Sequence, residues 1–241
     1  MAIASHAGNL KQSMNNAQRY VSAELTHFVG RGRQPSEQYD LLKRILSSGT
    51  LGSHPPGSAP ISLTVNWGGS SCENSVFSPQ VICFCDIPLA DLNIHMRKYS
   101  QFGVAFSKTF LAGQGATPVF YLAKNVAGSE LRCEYFDRML KVYRTATDRV
   151  QSNSSLSPDE RREFGDLQRF FEFLIFSHTK FFDETLPDDH IDNYYMEREW
   201  RVMGSVRFGL SEVERVIIPR SFATEFRREV PAYLGQLHFV E

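Results

Sequence analysis

The segment Tyr194-Tyr195-Met196-Glu197-Arg198-Glu199-Trp200-Arg201 sets two carboxylates two residues apart among aromatic side chains. At the start of a strand, that spacing sends Glu197 and Glu199 out of the pleat on one side. The aromatic neighbours predict that one carboxyl is desolvated and its pKa raised. Such a carboxylate can orient a ribose hydroxyl and stabilise positive charge growing on an anomeric carbon, as in glycosidic bond cleavage. The same spacing equally suits a Glu–Arg ladder on an exposed strand edge.

Other side chains offer narrower chemistry. His27 stands in Glu24-Leu25-Thr26-His27-Phe28-Val29, a predicted strand that stops at Gly30-Arg31-Gly32. Alternation places it with Leu25 and Val29, which suits a structural histidine as well as a ligand contact. Asp86 follows an apolar strand, where sheet ends open onto sites, and could instead cap the next helix. Tyr99 and Phe102 can stack on a flat ring or fill a core. Lys180, in His178-Thr179-Lys180-Phe181-Phe182, is read as a surface lysine with the alternative of meeting a phosphate. Gly113-Gln114-Gly115 lacks the lysine and following helix of a phosphate loop. No cluster has metal-ligand spacing, so no metal is expected.

These residues need elements to carry them. Tyr39, Leu42 and Leu46 recur at helical spacing, and Ser47-Ser48-Gly49 ends that helix on a glycine cap. Residues 52–79, rich in Gly, Pro and Ser, predict a long connection. Val81 to Cys85 reads as a strand covered on both faces, followed by a short helix carrying His95 and Tyr99. Phe102 to Phe106 and Pro118 to Leu122 predict two strands joined by a glycine turn. Helices follow over about Ser129 to Val150 and from the Ser157-Pro158-Asp159-Glu160 capping box, the latter with an apolar stripe of Phe164, Leu167, Phe170, Phe171 and Leu174. Glu199 to Val206, Val213 to Ile218 and Leu237 to Val240 close the chain as strands, with a helix near Phe222 to Arg228. Strands at both ends and helices between them predict one α+β domain over residues 1–241, with a helical insertion at about 125–190.

The 241 residues, 42% hydrophobic and 12% aromatic, suffice for a substantial core. A formal net charge of −1 excludes a bulk-charge argument for nucleic acid. Only a local set, Arg31, Arg33, Lys43 and Arg44, offers a basic patch. Cys72, Cys83, Cys85 and Cys133 are expected as buried thiols in a reducing compartment. The start shows no secretory pattern, and no apolar stretch approaches the roughly 18 residues of a membrane span. A cytoplasmic location is therefore expected.

Taken in order, Thr26-His27-Phe28, the helix ending L-L-K-R-I-L-S-S-G-T-L, V-I-C-F-C-D-I-P-L, H-M-R-K-Y-S-Q-F-G-V-A-F-S-K, P-V-F-Y-L and M-E-R-E-W-R-V resemble the AbiGi-type abortive-infection proteins of bacterial phage defence. They are also similar to the wider ADP-ribosyltransferase-like domains, which include the DNA-modifying DarT toxins. The resemblance covers about Leu25 to Ile218, loosely in the helical middle. It implies an ADP-ribosyltransferase-like split β-sandwich holding NAD in a cleft between two small sheets. It implies Glu199 as the catalytic carboxylate and Glu197 as the residue that positions the acceptor. His27 with Phe28 would contact the dinucleotide, Tyr99 or Phe102 would stack on nicotinamide, Arg31 or Lys180 would lie near the diphosphate, and Asp86 would border the site. The expected activity is mono-ADP-ribosylation of RNA or single-stranded DNA, restrained by a neutralising antitoxin. A protein acceptor, or a silent antitoxin module, is the alternative. The aromatic-hydroxyl motif usual on the middle strand is replaced here by Cys83 and Cys85.

Overall fold

The computed structural model describes residues 22–52 and 62–240. The start of the chain, read above only for a secretory pattern, lies outside that range, as does part of the 52–79 connection.

Strand β1 (Glu24–Phe28) leads through Gly30 and Gly32, both at positive φ, into α1 (Pro35–Ser48). Pro35 opens that helix, Glu37 accepts the Gln34 N–H at 3.0 Å, and Gly49 ends it at φ 60°. β2 (Thr50–Leu51) follows. The connection predicted to be irregular contains a paired ribbon, β3 (Leu63–Val65) with β4 (Phe77–Pro79). β5 (Val81–Cys85), α2 (Asn93–Lys98) and β6 (Gly103–Ser107) come next. The predicted glycine turn after β6 is a further helix, α3 (Lys108–Gly113), because Ser107 caps it by accepting the Phe110 N–H.

β7 (Thr117–Pro118) and β8 (Phe120–Lys124) precede α4 (Ser129–Ser152) and α5 (Pro158–Arg169), and the Ser157–Glu160 capping box starts α5 as predicted. A wider π-helical turn, Phe170–Ile175, extends it. The expected apolar stripe does not pack fully: Leu167, Phe170 and Leu174 remain 51%, 48% and 42% exposed. Within the stretch expected to be helical lies β9 (Thr179–Asp183), which runs parallel to β8. β10 (Glu199–Met203), β11 (Val206–Arg207), β12 (Val213–Pro219), α6 (Ala223–Glu229) and β13 (Gln236–Val240) finish the chain.

The molecule is α+β, built on a seven-stranded sheet of order β13-β12-β6-β1-β5-β10-β7. β1 pairs with β6 from Glu24↔Ser107 to Phe28↔Gly103, and β5 pairs with β10 from Cys85↔Glu199 to Val81↔Met203. Between these two well-zipped halves, β1 and β5 share a single pair, Thr26↔Cys85. The sheet therefore opens next to that pair.

Alternation assigns the faces. Leu25, Val29, Ile82, Phe84 and Val202 enter the main core with Leu42, Leu46 and Phe106. Each fully buried residue of this kind contributes about 1.5–3 kcal/mol. Thr26, Cys83, Cys85, Glu199 and Arg201 alternate onto the opposite face of the same strands. The second face of β5, expected to be covered like the first, is covered by apolar side chains at Cys85, which packs with Ile87 and Leu92, and borders the cavity at Cys83. A second cluster of Val76, Phe77, Leu140, Tyr143 and Phe176 packs α4 onto the β4 region. Cys72 and Cys133, expected as free thiols, form a disulfide that ties the loop before β4 to α4, with Cα atoms 5.6 Å apart. Their 61-residue separation hides that proximity in the sequence. No helix among the described residues is long and apolar enough to cross a membrane.

Candidate functional site

A cavity of about 400 Å³ lies where the sheet opens. Its floor is the non-core face of β1, β5 and β10, and its roof is β9, α2 and the short turn Tyr194–Glu197. Glu197 and Glu199 both face it, and both are almost wholly buried. They reach one point by different means: Glu199 is the first residue of β10, whereas Glu197 belongs to the turn, and Arg198 between them is left-handed at φ 44°. The expected common direction therefore holds through a kink rather than a pleat.

Lys180 unites the pair. Its Nζ lies 2.6 Å from Glu197 Oε2 and 2.6 Å from Glu199 Oε2. The surface position expected for this lysine is incorrect; it is buried, because β9 folds over the sheet. Arg201 Nε donates to Glu199 Oε1 at 2.7 Å, and its Nη1 donates to the Ser177 carbonyl. Lys98 Nζ sits 2.7 Å from Glu197 Oε1, which also accepts from the Tyr99 hydroxyl. The Glu199 N–H donates to the Tyr121 hydroxyl at 2.6 Å. Asn74 steadies β9 beside Lys180, accepting the Phe181 N–H at 2.9 Å and donating to the Phe181 carbonyl at 2.8 Å.

These contacts reverse the predicted pKa shift. Burial pushes the Glu199 carboxyl up, but the Lys180 and Arg201 charges and their hydrogen bonds outweigh it, and the group falls to about 2. Glu197 is likewise held below its ordinary value: burial opposes ionisation, and Lys180, Lys98 and Tyr99 overcome it. Burial raises the thiols of Cys83 and Cys85, so neither is an activated nucleophile. Cys83 is accessible yet surrounded by protein, as befits a concave wall.

The other expected residues divide. Phe28, Arg31, Tyr99 and His27 line the cavity. The Phe28 and Tyr99 rings are nearly parallel with centroids 6.3 Å apart, and the Arg31 guanidinium lies 5.1 Å over Tyr99. His27 projects to the core side, tilted against Phe84 at 5.8 Å, and its Nδ1 is 2.8 Å from the Cys83 carbonyl across the open part of the sheet. Burial lowers its pKa. Asp86 does not line the cavity: it accepts from Ser22 N–H at 3.0 Å and pairs with Lys108 at 2.7 Å, and so ties strand ends together. Neither does it cap α2, whose first residue has no side-chain cap. Phe102 is a core residue between Tyr39 and Phe222. The basic patch is also divided, since Arg33, Lys43 and Arg44 line a separate groove in which Lys43 pairs with Asp40 and Glu229.

Sequence reasoning missed Arg201, Asn74 and Lys98. Period-two alternation from Glu199 could have found Arg201; nothing local marks the other two. Together the buried cations Lys98, Lys180 and Arg201 exceed the two carboxylates they hold, with Arg31 at the rim. A buried excess of positive charge favours an anionic ligand.

No curated protein sequence matches the chain. A solved structure, "Thermus sp. 2.9 DarT in complex with carba-NAD+", is similar over 90% of this chain and 95% of that one, at 11% identity and a TM-score of 0.37. Residues 70–232 match the family described as "Putative abortive phage resistance protein AbiGi, antitoxin". That span includes the Glu197–Glu199–Lys180 cluster and leaves β1 and α1 outside it. The match covers more than half of the sequence, and the chain belongs to the AbiGi family of abortive phage resistance proteins.

Proposed function

We propose that this chain is an NAD-dependent mono-ADP-ribosyltransferase of phage defence, with Glu199 as its catalytic carboxylate and RNA or single-stranded DNA as acceptor. The observation that carries the reading is the ionised Glu197–Glu199 pair, clamped by Lys180 in a cation-rich cavity beside the Phe28–Tyr99 stack. The opening of the sheet at Thr26↔Cys85 supports a split β-sandwich.

The residues present fit a dinucleotide. A volume of about 400 Å³ suits a ligand site. Tyr99 and Phe28 offer faces for a flat ring, and Arg31 with the excess buried cations offsets a diphosphate. Glu199, anionic at any physiological pH, faces the ribose and stabilises the positive charge that develops at its anomeric carbon. The bond to nicotinamide breaks with its electron pair leaving on the ring nitrogen, which becomes neutral. Glu197 positions the acceptor, whose lone pair forms the new bond at the anomeric carbon and whose proton passes to solvent. Lys180 and Arg201 keep Glu199 ionised and fixed, so little reorganisation accompanies the step. The family's role in phage resistance is compatible with a nucleic-acid acceptor; of the four cations proposed for a phosphate backbone, Arg31 alone lines this cavity.

One observation favours a second reading, a silent antitoxin. Each oxygen of Glu197 and Glu199 already has an internal partner among Lys98, Tyr99, Lys180 and Arg201. A carboxylate oxygen accepts more than one hydrogen bond, so the pairing leaves room for a ribose hydroxyl. Incubation with radiolabelled NAD and separate RNA, single-stranded DNA and protein pools tests the two. The enzyme releases nicotinamide and labels nucleic acid, and Glu199→Gln lowers both by about 100-fold or more. Intact NAD together with tight binding of a companion toxin establishes the antitoxin instead.

A further inference from the structure

His95 is a buried titratable group of the cavity that the mechanism above leaves idle. It lines the cavity from α2 and is 5% exposed. Its ring stacks on Tyr99 at 25° with centroids 6.5 Å apart, and Tyr99 in turn donates to Glu197. His95 and Glu197 thus share Tyr99 as a neighbour. Neither of its ring nitrogens has a hydrogen-bond partner among the described residues. Nδ1 alone is sealed from solvent, which leaves Nε2 as the nitrogen open to the cavity.

A buried polar group without a partner is costly and rare in a folded protein. Around His95 the charged groups are Glu197, Lys98 and Lys180; burial dominates them and lowers the imidazole to about 4, so the ring is neutral at physiological pH. A neutral ring carries one proton. Burying a bare acceptor is better tolerated than burying an unpaired N–H, which puts the proton on Nε2. The cavity therefore holds an uncharged donor beside Tyr99, unmatched by any protein acceptor among the described residues.

We propose that His95 reads the leaving base of the dinucleotide: its Nε2–H donates to the carboxamide oxygen of nicotinamide while its ring extends the aromatic wall begun by Tyr99. This inference rests on the NAD reading above and deepens it, because it makes the cavity select an amide-bearing ring at the reacting end. The assigned role is in ligand binding and adds no covalent step.

Titration calorimetry of the full chain with NAD and with ADP-ribose, which lacks nicotinamide, tests it. His95→Phe keeps a flat ring and removes both nitrogens. NAD affinity should fall about tenfold in this variant, while ADP-ribose affinity stays within twofold of the wild type. His95→Gln, which restores an amide donor, should recover part of the loss. Equal weakening of both ligands would show a merely structural residue, and unchanged NAD affinity in a folded His95→Phe protein would overturn the assignment with the NAD reading intact. A wild-type chain that binds neither ligand removes the NAD reading itself, and the role of His95 with it.

Discussion

At the scale of single residues, the site is governed by what opposes each carboxylate. The aromatic neighbours of Glu197 and Glu199 led to an expectation that one carboxyl has a raised pKa, yet both are lowered, because desolvation here is overcome by Lys180 and its companions. Lys180 is itself held charged: burial opposes its protonation, and Glu199 and Glu197 more than reverse that. Such a cluster is weak evidence of net stabilisation, but deleting one member leaves uncompensated buried charge. Lys180→Met should therefore cost about 3–5 kcal/mol, measured by chemical denaturation. A loss within about 0.5 kcal/mol, typical of surface substitutions, would mean that β9 does not cover the pair as described.

At the scale of elements, backbone punctuation decides where strands and helices meet. Gly49 ends α1 in the left-handed region, and its carbonyl accepts the Phe208 N–H at 2.9 Å. A Cβ at this position would stand 2.4 Å from the Phe208 carbonyl oxygen. Gly49→Ala thus combines left-handed strain with a collision against backbone that cannot rotate away. The expected loss is about 2 kcal/mol or more, seen as a melting temperature lowered by roughly 4–8 °C. An unchanged melting temperature would contradict this close approach.

For the molecule as a whole, acid is the condition that loosens it. The folded pKa of Glu199 is depressed to about 2, so its contribution is complete above its unfolded value near 4.5 and is lost as pH falls toward 2. His95 is depressed to about 4 from 6.5; below 6.5 the unfolded chain binds the proton that the folded chain refuses. Its contribution is complete above pH 6.5 and declines as pH falls toward 4. His27, His178 and His238 shift in the same direction, each with burial as the leading cause. The unfolding free energy should fall between pH 7 and pH 4 with a slope of at most about 1.4 kcal/mol per pH unit for each such histidine. Denaturation series across this range should show a shallower slope in His95→Phe. Stability that rises on acidification would contradict the buried, neutral state of these rings.

The sequence by itself determined the α+β class, the strands at both ends and the helix caps at Gly49 and Ser157. All of these are written in local spacing: period two assigns a face, period 3.6 a stripe, and capping residues an end. Only the tertiary structure decided what stands across from each face. It moved Lys180 from an expected surface into the middle of the carboxylates, joined Cys72 to Cys133, and buried Asp86 and Phe102 away from the cavity. It also divided Arg31 from Arg33, Lys43 and Arg44. β9 escaped notice because Thr179–Asp183 is short, with only Phe181 and Phe182 apolar, and stands beside helical segments, and its parallel partner β8 lies far back in the chain. Periodicity fixes the direction in which a side chain points; its neighbour, and therefore its charge state, comes from parts of the chain that spacing does not connect.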